Sequence, residues 1–314
     1  MKKPIRSVLL SGLILAGLAL FGCISFAQLM GQKGPAEKII WTGQSGGFTI
    51  RWTTSDIRAQ PSEKTRQVVF SVISLAQKGF EDFSTSMKDP DAGAEDCSYE
   101  RNFRVLSVVG SIVSFEDVYY SFCQGWAHPS VETRFTAIDL AKPGAIAYTN
   151  TGGFPPIDVD LSKPGKVVKL TDFFSEDEIL KALLADSIIK KALPNSSASE
   201  PPKTLHELSQ LLKKQSFEIG ECVYRFPEDF LTRFVFHHLE KDKVAVRVGL
   251  PPDAEPCRTQ HAQLGILLPV PESLKTPLAL AESGKQGFLM KARKQISGDQ
   301  TTTVAFTRGK FGQE

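Results

Sequence analysis

Five cysteines and five histidines are the side chains in this sequence best able to do chemistry. Cys23 lies in an apolar N-terminal segment, whereas Cys97, Cys123, Cys222 and Cys257 lie beyond it. None of them forms the C-x₂₋₄-C pair that a structural zinc site normally uses. Their chemistry is therefore read as oxidation to two disulfides, the usual fate of an even cysteine set in an exported chain. Four cysteines allow three connectivities, and the surrounding pattern chooses among them. Tyr99 to Val109 and Ile112 to Phe122 are rich in β-branched and aromatic residues and flank Gly110-Ser111, so they read as a hairpin. The midpoint of positions 97 and 123 is Gly110. Cys222 and Cys257 are centred between Leu239 and Glu240, beside the charged turn Glu240-Lys241-Asp242-Lys243 of a second hairpin, Arg233–Leu239 with Val244–Leu250. The spacing predicts Cys97–Cys123 and Cys222–Cys257.

The histidines are scattered. His128 stands in Gly125-Trp126-Ala127-His128-Pro129, with no nucleophile or partner acid marked beside it. His237 and His238 are adjacent in a strand, which places their side chains on opposite faces and argues against a shared metal ion. His206 and His261 are isolated and expected at the surface. Asp172 could act as a general acid, but its place between a strand and a helix predicts a loop residue. Gly43-Gln44-Ser45-Gly46-Gly47 lacks the lysine and following helix of a phosphate loop and reads as a hairpin turn. No G-x-S-x-G, H-E-x-x-H or G-x-G-x-x-G motif occurs. No catalytic residue, metal ligand or cofactor is assigned, and the balance leans away from an enzyme. Trp126, His128 and Pro129 are the candidate ligand contacts, because a tryptophan exposed in a turn makes a good anchor.

These groups need a frame, and the residue pattern predicts an α+β fold: antiparallel hairpins, two or three helices and two disulfides. Strands are expected at Ile39–Thr42, Phe48–Thr54, Glu132–Leu140, Ile146–Asn150, Val167–Leu170, Cys222–Phe226 and Gln263–Leu268, besides the two hairpins. Val68 to Phe83 fits either a strand or a helix with Ile73, Ala76, Phe80 and Phe83 on one face. Ser175 with Glu178, and Thr204 with Glu207, are capping boxes that open helices. The first of these runs to Leu193, ahead of a Ser/Pro-rich loop over 194–203, and Pro271–Ala281 forms a further turn or short helix. Phe226, Phe230, Phe234 and Phe236 are read as core rather than as a ligand stripe. After Glu282 the apolar pattern fades, while Lys285, Lys291, Arg293, Lys294, Arg308 and Lys310 make the end basic. Residues 283–314 are expected to be a disordered tail, attracted at most weakly to anionic lipid or wall polymer.

The ends of the chain set the compartment. Lys2, Lys3 and Arg6 precede an apolar run from Val8 to Phe26, and small residues stand at Ser25 and Ala27. This is the pattern of a secretory signal peptide over 1–27, cleaved before Gln28. Leu20-Phe21-Gly22-Cys23 offers lipidation of Cys23 as another outcome, and retention as a membrane anchor is a third. Each places the remainder outside the cytoplasm, in the periplasm, secreted or membrane-anchored. Hydrophobic residues at 41% and charged residues at 23% exclude global disorder. Lys+Arg 37 against Asp+Glu 35 gives +2, too balanced for a general nucleic-acid binder. The expected organisation is a signal peptide (1–27), a β-rich segment (28–96), an α+β domain (97–282) and the tail (283–314).

The order of elements then resembles a known family. A hairpin ending in Tyr119-Tyr120 is followed by the Gly-x-Ala-His-Pro turn and a strand ending in Ile138-Asp139-Leu140. Val168-Lys169-Leu170-Thr171-Asp172-Phe173-Phe174 then leads to a helix and a late hairpin. Over roughly 98–282 this is similar to the DUF3298 family, the RsiV-like C-terminal domain, with residues of about 38–120 resembling a degenerate DUF4163 (PdaC-like) segment. Trp126 replaces a glycine expected in the turn. The resemblance implies an extracytoplasmic sensor or binding domain whose partner is lysozyme, another protein or a cell-wall component. The anti-sigma role is not carried over, because only a handful of residues precede the apolar segment. A wall-modifying, deacetylase-like enzyme or a structural envelope protein is the alternative implication. No nucleic-acid partner is expected, and membrane contact only through an N-terminal anchor or lipid.

Overall fold

A computed structural model describes residues 37–62, 68–86, 97–143, 165–193, 200–252, 257 and 260–308. The expected signal peptide over 1–27, Cys23 and the strand expected at Ile146–Asn150 lie outside the described residues. Strands β1 (Ile39–Ser45), β2 (Phe48–Thr53), β3 (Ile57–Pro61) and β4 (Phe70–Ser71) form an antiparallel meander. Gly46 and Gly47 take positive φ of 56° and 83° in the β1–β2 turn, which confirms the hairpin reading of this Gly-rich run. Val68 to Phe83 resolves into both alternatives: β4, then helix α1 (Val72–Ser86). The switch is held by Asp56. Its carboxylate accepts the N–H groups of Ile57 at 2.9 Å and Ile73 at 3.2 Å, and the Ser71 hydroxyl at 3.0 Å. Arg58 donates from the side.

The second sheet is built on β5 (Cys97–Val109) and β6 (Ile112–Cys123), joined at Gly110 with φ 57°. β7 (Ser130–Pro143) and the short β8 (Gly165–Val167) extend it on one side. Phe103, Val105, Phe115 and Ile138 alternate along these strands onto one face. They bury against Trp52, Phe70 and Ala76 of the first sheet and α1. Within this interface Arg101 pairs with Asp117.

The helices follow. α2 (Glu176–Ala185) opens at the Ser175–Glu178 box, with both reciprocal hydrogen bonds present. The expected single helix to Leu193 is broken at Asp186. Its carboxylate accepts the N–H groups of Ile188 at 2.8 Å and Ile189 at 3.2 Å, starting α3 (Ser187–Ala192) afresh. α4 (Leu205–Leu212) is capped by Thr204, while Glu207 accepts the Lys203 N–H instead of the expected Thr204 N–H. A small hairpin, β9 (Ser216–Ile219) and β10 (Cys222–Arg225), precedes a third sheet of β11 (Phe234–Glu240), β12 (Lys243–Leu250) and β13 (Ala262–Pro269). Leu208, Leu183 and Ile179 pack on Phe234, Phe236, Val246, Leu264 and Ile266 in the larger core. Phe226 and Phe230 join them, so the four phenylalanines are core residues.

The end of the chain departs from expectation. Helices α5 (Glu272–Glu282) and α6 (Met290–Ser297) lead to β14 (Thr302–Arg308), which pairs with β5 from Thr302↔Phe103 to Arg308↔Cys97. Residues 283–308 therefore belong to the fold, and the expected disordered tail is corrected over that range. Phe288 and Leu289 are buried in the cores. Burying such a side chain contributes roughly 2–3 kcal/mol, which outweighs the basic residues around it. The described residues from Lys38 to Arg308 fall within one compact unit by their contacts. Among the described residues, six α-helices and antiparallel sheets make the fold α+β.

Candidate functional site

Both disulfides join the cysteines that the spacing pairs. Cys97 and Cys123 are directly opposite in the β5–β6 register, with Cα atoms 4.0 Å apart. Cys222–Cys257 spans 35 positions with Cα atoms 5.7 Å apart, tying β10 to the segment before β13. The first disulfide floors the β6–β7 turn that holds Trp126, His128 and Pro129. Gly125 takes φ 90°, and the Trp126 N–H donates to the Cys123 carbonyl at 3.0 Å.

The indole is not the free anchor expected from sequence. It is half-buried, edge-on to Phe83 of α1 with ring centroids 6.4 Å apart. Tyr99, Phe80, Tyr119, Phe306 and the disulfide complete the cluster. Trp126 thus closes one end of a small core and presents only its outer part. His128 is exposed, with Nδ1 3.3 Å from the Pro129 carbonyl oxygen. On the other face of the hairpin Val118, Tyr120, Phe122 and Val131 form a half-buried apolar band, because Tyr120 stands opposite Val131.

His206 is exposed as expected, whereas His261, His237 and His238 depart from expectation. His261, expected at the surface, is half-buried with its ring perpendicular to Phe135 at 4.5 Å. Its seat exists because position 249 is glycine: a Cβ there would stand 2.5 Å from Nε2. Burial, then the nearby Arg233 charge, pushes the ring down to about 4 from the ordinary value near 6.5. Arg233 is itself buried. Its Nε donates to Asp229 Oδ1 at 2.9 Å, while Arg134 Nη2 donates to Asp229 Oδ2 at 2.6 Å. Glu132 lies 3.6 Å from Arg233 Nη1. Two guanidiniums thus clamp one carboxylate between β7 and the turn before β11, which is a structural brace.

His237 and His238 do not face apart. The register steps from Phe236↔Val246 to His238↔Ala245, so His237 is the extra residue of a β-bulge. The two Nδ1 atoms lie 2.7 Å apart. The sequence carries no signal for this bulge, which is why alternation misplaced the pair. Among the described residues no three His, Cys, Asp or Glu side chains gather as a metal-ligand set. Asp172, the candidate acid, accepts the Lys169 N–H at 2.9 Å and closes a short 3₁₀ turn, the loop role expected of it.

Fold and surfaces define a disulfide-braced antiparallel α+β protein. No protein-family model, curated protein or solved structure matches the chain.

Proposed function

We propose that the protein is an exported, non-enzymatic binding or sensor domain of the bacterial envelope. In this reading residues 1–27 are its signal peptide and its ligand is lysozyme, another protein or a cell-wall component. Two disulfides support an oxidising, extracytoplasmic compartment. Among the described residues no helix is long and apolar enough to cross a membrane. The observation that carries the reading is the β6–β7 turn. Its backbone is fixed by the disulfide and Gly125, so Trp126, His128 and Pro129 are held before a partner arrives. Preorganisation of this kind lowers the ordering cost of association. The DUF3298-like order of elements supplies the ligand class.

The test is a titration of the chain from Gln28 to Glu314 against lysozyme and against soluble wall fragments. Near-physiological salt is needed because lysozyme is basic and binds nonspecifically at low salt. Saturable binding at micromolar affinity or tighter, weakened at least tenfold by His128→Ala with unchanged melting, is the expected result. Binding by neither ligand class, or binding indifferent to both His128→Ala and Trp126→Ala, overturns the proposal.

A further inference from the structure

Strand β13 ends the third sheet, and its outer edge is open. Backbone groups of an antiparallel strand point alternately to its two sides. Lys243 closes the Lys241-Asp242 turn against Glu240, and the Gly249 N–H donates to the Arg233 carbonyl, just before β11, at 2.8 Å. The odd-numbered residues of β12 therefore turn their backbone groups toward β11. Val244, Val246, Val248 and Leu250 turn theirs toward β13, where they pair with Leu268, Ile266, Leu264 and Ala262. Gln263, Gly265 and Leu267 are left with N–H and C=O groups directed away from the sheet. Among the described residues no hydrogen bond reaches these groups. Proteins usually blunt such an edge with a charge or a bulge. β13 has neither: Ala262 to Leu268 carries no charge, and its register with β12 is unbroken. Leu267 is also one of the few large apolar side chains left exposed.

The edge and the flank of α2 line one groove of about 540 Å³. Glu178, Lys181, Ala182 and Ala185 share a helix face and form one wall. Gly265, Leu267 and Pro269 form the other, with Lys243 beside Pro269. Both carboxylates in the groove are engaged. Glu178 accepts the Ser175 N–H at 3.0 Å, and Asp186 accepts the N–H groups that start α3. Lys181 and Lys243 have no ion-pair partner among the described residues. We propose that this groove binds an extended acidic segment of a partner protein, which adds to β13 as a further antiparallel strand. The free backbone groups of Gln263, Gly265 and Leu267 supply main-chain hydrogen bonds, and the side chains of the groove select the sequence. The small Ala182 and Ala185 leave room for the added strand, and acidic side chains on it meet the two lysines. A second copy suits the edge less well. Its self-complementary pairing would bring the same two lysines back to the groove. The groove uses other elements than the Trp126 turn and does not depend on the function proposed for that turn.

Amide hydrogen exchange of the chain from Gln28 to Glu314 is followed by NMR, without and with a blocked short peptide that alternates valine and glutamate. In the free chain the Gln263, Gly265 and Leu267 amides are expected to exchange fast, while Leu264, Ile266 and Leu268 are protected by β12. The peptide is expected to slow the three outward amides saturably. Leu267→Pro removes an outward N–H without touching the ladder to β12, and is expected to raise the half-point at least tenfold. Lys181→Glu with Lys243→Glu, both at exposed positions, leaves the backbone unchanged and is expected to turn the preference toward a valine–lysine peptide. Absence of saturable protection overturns the proposal. So does equal binding of a peptide N-methylated at alternate residues, which cannot pair as a strand, or an unchanged preference in the lysine variant. Protection of the three amides in the free chain also overturns it. If that protection grows with protein concentration the occupant is a second copy, and if it does not the edge is covered by the chain itself.

Discussion

The indole N–H of Trp52 donates to Thr302 Oγ1 at 3.1 Å across 250 positions of sequence. Thr302 in turn donates to the Thr53 carbonyl, and all three groups are buried. One threonine near the end of the chain thus satisfies a tryptophan near its beginning. Thr302→Val keeps the shape and removes both bonds, leaving a buried indole N–H unpaired. It is expected to cost about 1–3 kcal/mol in urea unfolding, with altered Trp fluorescence.

Removal of everything after Glu282 tests the same relationship more severely. It takes away Phe288, Leu289 and β14, stripping an edge strand from the sheet and, with Val304, three buried residues from the cores. The shortened chain is expected to lose its cooperative thermal transition. A sharp transition near that of the intact chain would return 283–314 to the status of a tail.

The Cys222–Cys257 bridge closes a long loop over a separation of 35 residues. Replacing both cysteines by alanine is expected to lower stability by about 3–4 kcal/mol, from the chain entropy released in the unfolded state. Equilibrium unfolding of the double variant without reductant measures it.

Stability is expected to fall in mild acid. His261 titrates at about 4 in the folded chain and near 6.5 when unfolded. The unfolded state therefore takes up the proton first. The contribution is complete above about pH 6.5 and is lost progressively as pH falls toward 4, by up to roughly 3 kcal/mol. Burial of the ring and the nearby Arg233 charge both oppose its protonation. His261→Gln is expected to flatten the pH dependence of the melting temperature across that window. An unchanged slope would show that the ring is free to protonate in the fold.

Two glycines of the third sheet separate rigid neighbours from yielding ones. Gly249→Ala drives a Cβ against the His261 ring at 2.5 Å, with Phe135 at 3.1 Å beyond it. Rigid rings give way poorly, so a loss of about 1–3 kcal/mol is expected in thermal melts. Gly265→Ala meets only the tip of Arg247, a flexible side chain. Its melting temperature is expected to stay nearly unchanged.

Local chemistry was legible in the sequence, and long-range chemistry was not. Gly110 centred the Cys97–Cys123 hairpin, and Ser175 with Glu178 announced α2, because each signal lies within a few residues of what it controls. The disulfide pairing followed from those local centres. β14 was missed because one of its inward positions is Thr302, polar by itself and paired with Trp52 far upstream, while Val304 and Phe306 only make sense beside Arg101 and Tyr99. The His237–His238 contact was missed for a different reason. One inserted residue at the bulge reverses the facing of a side chain, and nothing in Phe236-His237-His238 marks the insertion. The half-burial of Trp126 depended on Phe83, which lies in another element and 43 positions upstream.

The pairing of β14 with β5 also imposes an order in time. A chain delivered from its N-terminus presents Cys97 and Cys123 together, with their hairpin complete, while Thr302 is still some 180 residues from emerging. Sulfur oxidation can thus precede the arrival of the edge strand. Trp52 must wait through almost the whole of delivery with its indole N–H in water. The first sheet becomes permanent only when the last strand docks, so an interrupted chain would carry its disulfides and still be open at Trp52.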